Sequence, residues 1–312
     1  MLDRASKGLF QLIARSVPLK KLASRYGTSR RASLARRFIA GETVGEAIDA
    51  VRALEAQGFT HTLDHLGESV AGLAEADLAT REYLGIIDAV VQTAIGRNIS
   101  LKLTQLGLDV DKATAIDNLR RVLDRAEPAG FFVRIDMEGS RYTEATLDIF
   151  EILWQQGYRH MGVVLQAALY RSEQDLRRIN ALGAPIRLVK GAYNEPESVA
   201  YQRKSDVDAA YASLLQVLLT EGHYPAIATH DPAMIELARR TAADHAVLPD
   251  RFEFQMLYGI RRDLQKKLVG NGYCVRIYVP FGREWFPYFM RRLGERPANI
   301  AFVVRGMTRE RG

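Results

Sequence analysis

Short apolar runs and longer amphipathic segments alternate along the chain from Phe59 onward. The apolar runs have the length of buried strands and occupy residues 59–63, 99–103, 131–137, 161–165, 186–189, 226–228, 252–256 and 275–279. The segments between them repeat apolar residues at helical spacing and occupy residues 73–95, 113–126, 145–156, 175–182, 207–220, 232–242 and 263–268. An eighth amphipathic segment follows the last run. The pattern therefore predicts eight strands, each followed by a helix.

This alternation favours one fold class, α/β, in the form of a (β/α)8 TIM barrel. Eight strand–helix units in roughly 240 residues match the count and the size of that barrel. A doubly wound sheet is the alternative, and its first strand would usually be followed by a glycine-rich phosphate turn. The sequence has neither a G-x-G-x-x-G turn nor a Walker loop, so a Rossmann site is not supported. We predict an N-terminal helical arm over residues 1–57, the barrel over 58–298 and a tail over 299–312.

Composition narrows the class of protein further. The chain has 312 residues, of which 47% are hydrophobic and 26% charged, as in a soluble protein with a large core. Its single cysteine, Cys274, excludes a disulfide framework and a Cys-x-x-Cys metal site. No run of about 20 apolar residues could span a bilayer, and we find no secretory signal. We therefore expect a cytoplasmic protein.

Positive charge is concentrated at the N-terminus. Residues 1–40 hold ten basic residues and one acidic residue, a net +9, whereas the rest holds 33 basic and 36 acidic residues, a net −3. Three interpretations stay open: an arm that lies peripherally on the inner face of an anionic membrane, an organelle-targeting segment, or a solvated helical flank. Nucleic acid is a poor fourth choice, because the basic residues are not interleaved with stacking aromatic residues.

Polar side chains recur where the predicted strands end. They are Lys102, Asp136, Gln166, Lys190, Thr229 with His230, Gln255 and Tyr278. Because barrel enzymes place their active sites at the carboxyl ends of the strands, seven polar ends at one rim predict a site. Lys102 needs a buried partner, and Asp136 on the neighbouring strand is the natural one. The alternative is that this ion pair is retained only for packing.

The last strand and helix carry a second candidate group. On the helix after Gly282, one face is apolar, whereas Tyr288, Arg291, Arg292 and Glu295 fall roughly opposite it. Two guanidinium groups suit a small carboxylate, because each offers a planar fork of donors. The alternative is a solvated face with an Arg291–Glu295 ion pair.

The histidines do not form a metal-binding motif. Only His61 and His65 have a metal-ligand spacing, and the glutamate of an H-E-x-x-H motif is missing between them. We predict no metal site.

Seven sequence blocks resemble proline dehydrogenase and occur in that family's order. They are LKLTQLGL, RIDMEGS, VVLQAALYR, RLVKGAYNEP, IATHDP, FEFQMLYGIR and VRIYVPFGREWFPYFMRRLGERPAN, within a resemblance that covers residues 41–299. The size and the absence of an aldehyde dehydrogenase region are similar to the monofunctional bacterial form. The resemblance implies a distorted barrel with its last helix over the mouth and non-covalent FAD. It also implies oxidation of L-proline to Δ1-pyrroline-5-carboxylate by hydride transfer from ring C5 to flavin N5. This would be the first step of proline catabolism to glutamate, with a membrane quinone as electron acceptor and pyrroline-5-carboxylate dehydrogenase downstream.

The same resemblance implies roles for individual residues. Arg291 and Arg292 would bind the proline carboxylate, and Glu295 would orient an arginine. Lys102 would pair with Asp136 beside the substrate, Tyr278 would shape the pocket wall, and Leu257 would contact the ring. The residues implied for FAD are Met137, Gln166, Arg187, Val189, Lys190, Gly191, Ala192, Thr229 and His230. Of these, Gln166 would hydrogen-bond the isoalloxazine, and Thr229 with His230 would contact the adenosine half and the pyrophosphate.

A second class of enzyme stays open on the residues alone. A barrel rim with lysine, aspartate, arginine and histidine could also serve a Schiff-base aldolase or a phosphate-binding isomerase. Lys102 or Lys190 would then be the amine nucleophile. Such a protein would be colourless, whereas a flavoenzyme is yellow.

Overall fold

The computed structural model describes residues 34–67 and 69–294 of the chain. Within them, eight strands form a closed barrel in sequence order, β1 (Thr60–His65), β2 (Asn98–Leu101), β3 (Phe132–Ile135), β4 (Met161–Gln166), β5 (Ile186–Val189), β6 (Ala226–Ala228), β7 (Glu253–Leu257) and β8 (Val275–Phe281). Every neighbouring pair is parallel, and β1 closes the barrel because Leu63 pairs with Ile99 of β2 and with Val279 of β8. The predicted barrel is confirmed.

Nine α-helices accompany these strands in the described part of the chain. They are α1 (Val44–Glu55), α2 (Leu73–Val91), α3 (Lys112–Ala126), α4 (Thr143–Gln155), α5 (Ser172–Asn180), α6 (Lys204–Glu221), α7 (Pro232–Asp244), α8 (Arg262–Gly270) and α9 (Trp285–Gly294). Two short 3₁₀ turns lie at Leu34–Arg37 and Ser140–Tyr142. None of the helices in these described ranges is both long and apolar enough to cross a bilayer.

The two sides of the strands differ in chemistry. Val133 and Ile135 on β3, like the apolar residues of the other strands, join one core cluster with the helices. The alternate residues point into the barrel, where Arg134 donates to the carbonyl of Pro185 at 2.8 Å and the hydroxyls of Thr62 and Ser100 lie 3.2 Å apart. Barrels of this type usually fill that space with branched apolar residues. Here polar and charged groups fill much of it.

Helix α1 occupies the place in the outer ring between β8 and β1. A capping box starts it, in which Thr43 accepts from the Glu46 amide while the Glu46 carboxylate accepts from the Thr43 amide. Its buried face, which includes Val51, packs against the barrel wall. Residues 1–57 were predicted as an arm; α1 lies within that range and packs on the barrel, whereas residues 1–33 lie outside the described part of the chain.

Helix α9 crosses the mouth of the barrel instead of joining the ring. Trp285 and Tyr288 are buried in a small cluster with Phe38, Ile39 and Ile260. The segment before α1 is fixed beside it, since the Ala40 amide donates to the carbonyl of Pro280 at 2.8 Å. The prediction that the last helix covers the mouth is confirmed.

Candidate active site

One cavity of about 700 Å³ opens at the carboxyl ends of the strands beneath α9. This size falls within the range of about 300–1,000 Å³ typical of cofactor and substrate pockets. All the predicted site residues in the described part of the chain line it, namely Lys102, Asp136, Met137, Gln166, Arg187, Val189, Lys190, Gly191, Ala192, Thr229, His230, Leu257, Tyr278, Arg291 and Arg292. Glu295 lies outside the described residues.

The nearest carboxylate to Lys102 is Asp64, not the predicted Asp136. The Lys102 Nζ lies 3.0 Å from Asp64 Oδ1 and 3.8 Å from Asp136 Oδ2. The predicted pair of Lys102 with Asp136 is present, but the prediction missed the nearer partner, because Asp64 at the end of β1 was assigned neither to the strand nor to the rim. The pKa of Asp64 lies above its ordinary value, mainly because the carboxyl group is buried. The Lys102 ammonium lowers this pKa, whereas the nearby Asp136 carboxylate raises it. Lys102 therefore bridges two buried carboxylates.

Asp136 is held by Arg187 and Tyr278. Its Oδ1 accepts from Arg187 Nη1 at 2.6 Å, and its Oδ2 accepts from the Tyr278 hydroxyl at 2.7 Å. The Arg187 guanidinium also lies 5.3 Å from the centre of the Tyr278 ring. Burial and the nearby carboxylates of Asp136 and Asp64 hold the pKa of Tyr278 well above its usual value, so the phenol stays a hydrogen-bond donor.

Helix α9 turns its arginine-bearing face toward the cavity. Arg291 and Arg292 line the cavity together with Tyr288, and the Arg292 guanidinium lies 5.1 Å from the centre of the Tyr288 ring. The opposite, aromatic face packs on the segment before α1, where the Phe289 and Phe38 rings are 6.2 Å apart. The interpretation of this helix as a solvated face is therefore wrong.

The other wall of the cavity is built from the ends of β4 to β7. The Gln166 amide donates to the carbonyl of Glu138 at 2.8 Å. Lys190 donates to Asp208 at 2.5 Å and to Asp231 at 2.7 Å. The Nε2 atom of His230 accepts from the amide of Leu257 at 2.9 Å. This nitrogen is therefore unprotonated.

Sequence reasoning missed further residues at the cavity. Asp64 and Tyr193 line it and were not among the predicted candidates. Gln255 and Tyr288 also line it; they were named as a polar strand end and as part of the polar face of the last helix, but without an individual role. The alternation of Thr60, Thr62 and Asp64 along β1 was a signal for an inward polar side, because side chains alternate across a strand. The two histidines that were considered and set aside as metal ligands lie on the other side of β1, where His61 contacts Glu55 at 3.0 Å and His65 contacts Glu82 at 3.6 Å.

The cavity fits a flavin nucleotide in shape and in donors. Gly191 has φ +113°, and a Cβ atom added to it would lie 3.1 Å from the Ala168 Cβ and 3.4 Å from Gln166 Oε1. Gly191 is exposed and lines the cavity without a side chain, so its backbone is accessible from the cavity. Arg187, Lys190 and the Gln166 amide supply donors along one wall, and apolar side chains such as Val164 and Met256 supply surface for a flat ring system.

The fold and this cavity define an α/β-barrel enzyme with its site at the barrel mouth. The model of the family described as proline dehydrogenase matches residues 47–305. The chain is 43% identical over 305 residues to proline dehydrogenase 2 of Bacillus subtilis, which covers 98% of this chain and 99% of that protein. It is also 43% identical over 279 residues to the proline dehydrogenase of Deinococcus radiodurans, with 88% and 90% covered. The chain belongs to the proline dehydrogenase family.

A solved structure agrees with this assignment. The crystal structure of proline utilization A from Bdellovibrio bacteriovorus, inactivated by N-propargylglycine, is similar with a TM-score of 0.77 and 28% identity. The match covers 83% of this chain and 32% of that larger protein. The protein is therefore an oxidoreductase of proline catabolism, in a family that is flavin-dependent in general.

Proposed function

We propose that this enzyme binds FAD non-covalently in the mouth of the barrel and oxidises L-proline to Δ1-pyrroline-5-carboxylate. One observation carries the proposal: the guanidinium groups of α9, the Lys102 cluster and the bare backbone at Gly191 all line one cavity. The cations that could bind a carboxylate, the polar cluster around Lys102 and the backbone that a nucleotide could contact therefore all border one space. Bound FAD would supply the acceptor for the hydride.

Arg291 and Arg292 are the groups that we assign to the substrate carboxylate. Both are cations on one helix that covers the cavity, so they bind an anion and close the site over it. Leu257 and Tyr278 border the same space and would contact the five-membered ring. The pose leaves the ring nitrogen and C5 toward the interior of the barrel mouth, beneath α9.

Asp136 is assigned an orienting role and not that of a general base. Both of its oxygens accept short hydrogen bonds, from Arg187 and from Tyr278. Hydride loss from C5 needs the lone pair of a neutral ring nitrogen, which forms the C5=N bond as the hydride leaves. Loss of the remaining N–H proton then gives the product. The cations Lys102 and Arg187 offset the charges of Asp64 and Asp136, so this cluster adds no net negative charge that would favour protonation of the substrate amine.

The FAD assignment predicts an effect of a methyl group at Gly191. Gly191→Ala should raise the Kd for FAD about tenfold, because a residue with a Cβ is strained at φ +113° and crowds the Ala168 Cβ at 3.1 Å, so the backbone shifts and one hydrogen bond of about 1.4 kcal/mol to the cofactor is lost. Titration of the apoprotein with FAD, followed by flavin fluorescence, measures this. Gly157→Ala is the control, because Gly157 has a similar φ of +104° and no atom within 4 Å of an added Cβ. Equal Kd values in both variants would contradict the assignment.

A single spectrum tests the proposed function. Purified enzyme should absorb near 450 nm, a rough value for any flavin, and anaerobic addition of L-proline should bleach that band. The bleached solution should contain one equivalent of Δ1-pyrroline-5-carboxylate per flavin. A colourless protein that takes up no FAD, or a flavin band that L-proline leaves unchanged, would exclude the proposal.

The reduced cofactor needs an acceptor, and we assign a membrane quinone to that role, with pyrroline-5-carboxylate dehydrogenase using the product. Docking through the basic N-terminal segment on the inner face of the membrane would bring enzyme and quinone together. Residues 34–40, the last part of that segment, lie beside α9 at the barrel mouth. A cytoplasmic enzyme with peripheral membrane contact follows.

This docking predicts a loss of liposome binding when basic residues are removed. Replacing Lys20, Lys21 and Arg25 by glutamine should weaken binding to anionic vesicles about 100-fold, since each basic residue contributes about 1 kcal/mol. The control replaces Arg262, Lys266 and Lys267, three exposed cations on α8 that are not part of the N-terminal segment. Co-sedimentation at two salt concentrations measures the effect. Equal, salt-insensitive binding of the two variants would exclude docking through the segment.

The Schiff-base alternative is disfavoured by the surroundings of both lysines. An amine nucleophile must lose its proton, whereas Lys102 contacts Asp64 and Asp136, and Lys190 contacts Asp208 and Asp231. Paired carboxylates favour the protonated ammonium.

A further inference from the structure

Six buried or half-buried side chains form a continuous hydrogen-bonded chain inside the barrel. In order from the closed end to the cavity they are Arg276, Glu253, Gln255, Arg187, Asp136 and Tyr278, and we call them the barrel chain. Only its last three members were given a role in the proposed function. Gln255 also borders the cavity, Glu253 lies two residues before it on β7, and the proposed function assigns neither of them a role.

The contacts along the barrel chain are short and specific. Arg276 binds Glu253 in a bidentate manner, with Nε–Oε1 at 2.8 Å and Nη2–Oε2 at 2.9 Å. The Gln255 amide nitrogen donates to Glu253, and Gln255 Oε1 accepts from Arg187 Nε at 2.5 Å. Ser100 accepts from Arg187 Nη2 at 3.1 Å. Three separate acceptors therefore fix the plane of the Arg187 guanidinium.

The chemistry of its two neighbours fixes the orientation of the Gln255 amide. Arg187 can only donate, so the amide oxygen must face it, and the ionised Glu253 can only accept, so the amide nitrogen must face that side. Burial acts to raise the pKa of Glu253, but the charge of Arg276 offsets this and the pKa lies below its usual value. A residue that joins a buried guanidinium to a buried carboxylate must carry both a donor and an acceptor.

We propose that Gln255, supported by Glu253, is a positioning residue for proline oxidation. It fixes the Arg187 guanidinium, and through it the Asp136 carboxylate and the Tyr278 hydroxyl, at the floor of the cavity. This inference rests on the roles proposed above for those three residues. The substrate carboxylate is bound from the opposite side by α9. If the hydrogen bonds of the barrel chain are broken, the ring nitrogen and C5 of proline should therefore lose their orientation, while the carboxylate stays bound.

Removing the amide tests the proposal first. Gln255→Leu should lower kcat about 100-fold, the loss expected when reacting groups shift by about 1 Å. The Kd of a five-membered-ring carboxylate that lacks the nitrogen should stay close to the wild-type value, measured through the change that it causes in the flavin spectrum. Asn118→Leu is the matched control. Asn118 is a buried amide on α3 that likewise donates to one group and accepts from another, away from the cavity.

A charge exchange tests the geometry without a change in volume. Gln255→Glu places two carboxylates side by side and should also lower kcat, because Arg187 is drawn away from Asp136. In the double variant Gln255→Glu with Glu253→Gln, the amide at 253 can accept from Arg276 and donate to the new carboxylate. The net charge is restored, and so are the contacts of the barrel chain, except that the amide at 253 accepts only one of the two Arg276 hydrogen bonds. We expect this double variant to recover at least about tenfold of the lost kcat, a coupling typical of contacting groups.

Three results would overturn the proposal: wild-type kcat in both Gln255 single variants, an equal loss of kcat in Asn118→Leu, or no recovery in the double variant. The double variant and Gln255→Glu keep the test decisive where Gln255→Leu does not fold. A wild-type protein that binds no FAD or does not oxidise proline would instead overturn the proposed function. The two failures are thus distinguishable.

Discussion

Lys102→Met should lower the free energy of unfolding by about 3–5 kcal/mol, the cost of removing one partner from a buried ion pair. Asp64 is fully buried and Lys102 is only 6% exposed, so water cannot replace the lost ammonium. Two carboxylates, Asp64 and Asp136, would then share one dry space without their common cation. Urea unfolding at neutral pH measures the loss.

The stability deficit of Lys102→Met should shrink as the pH falls. The pKa of Asp64 is already raised in the folded protein, and removal of Lys102 raises it further. An acid whose folded pKa exceeds its unfolded value favours the folded state at low pH and loses that contribution as the pH rises through the folded pKa. The deficit should therefore be smaller at pH 5 than at pH 8.

A second substitution separates charge from packing in this cluster. Asp64→Asn added to Lys102→Met removes one of the two carboxylates, so the double variant should recover most of the lost stability at neutral pH. Activity should not return, because Lys102 borders the substrate space. A Lys102→Met protein as stable as wild type at every pH would show that the cluster is open to water.

Arg291→Met and Arg292→Met should each raise the KM for L-proline by on the order of tenfold or more, the effect of one lost charge-assisted contact. The flavin spectrum and the free energy of unfolding should change little, because both side chains border an open cavity. Arginine to lysine should give an intermediate KM, since lysine keeps the charge and loses the planar fork. Steady-state kinetics measure all four variants.

The control for the clamp is Arg283→Met. Arg283 is exposed just before α9 and lies outside the cavity lining. It carries the same charge, so a general electrostatic attraction for proline would be reduced equally by its removal. Near-normal KM values for Arg291→Met and Arg292→Met, or an equal rise for Arg283→Met, would remove the carboxylate clamp from the proposed function.

The sequence predicted the barrel well because its strands are apolar on the side that meets the helices. Residues such as Val133 and Ile135 set the strand positions, and only the strand ends shifted. The predicted helix at 73–95 ends earlier, at Val91, where Thr93 donates to the Val90 carbonyl and the chain turns. Local hydrogen bonds of this kind do not change the spacing of apolar residues, so the sequence pattern does not predict them.

The site was predicted less evenly, for physical reasons. The polar strand ends marked Lys102, Asp136 and Tyr278, yet pairing depends on depth in the barrel, and so Asp64 was missed as the nearest partner. The spacing of apolar residues in α9 predicted one apolar face and one polar face, but it did not predict which face meets the cavity. That choice depends on α1, which fills the outer ring and leaves α9 to cross the mouth. No local pattern carries that information.

The most direct test of the central claim is a crystal structure of the enzyme with FAD and a five-membered-ring carboxylate that lacks the nitrogen. We expect the carboxylate within hydrogen-bond distance of both Arg291 and Arg292, and the flavin against Gln166 and the backbone at Gly191. A carboxylate bound elsewhere, arginines of α9 directed into solvent, or FAD outside the barrel mouth would contradict the claim.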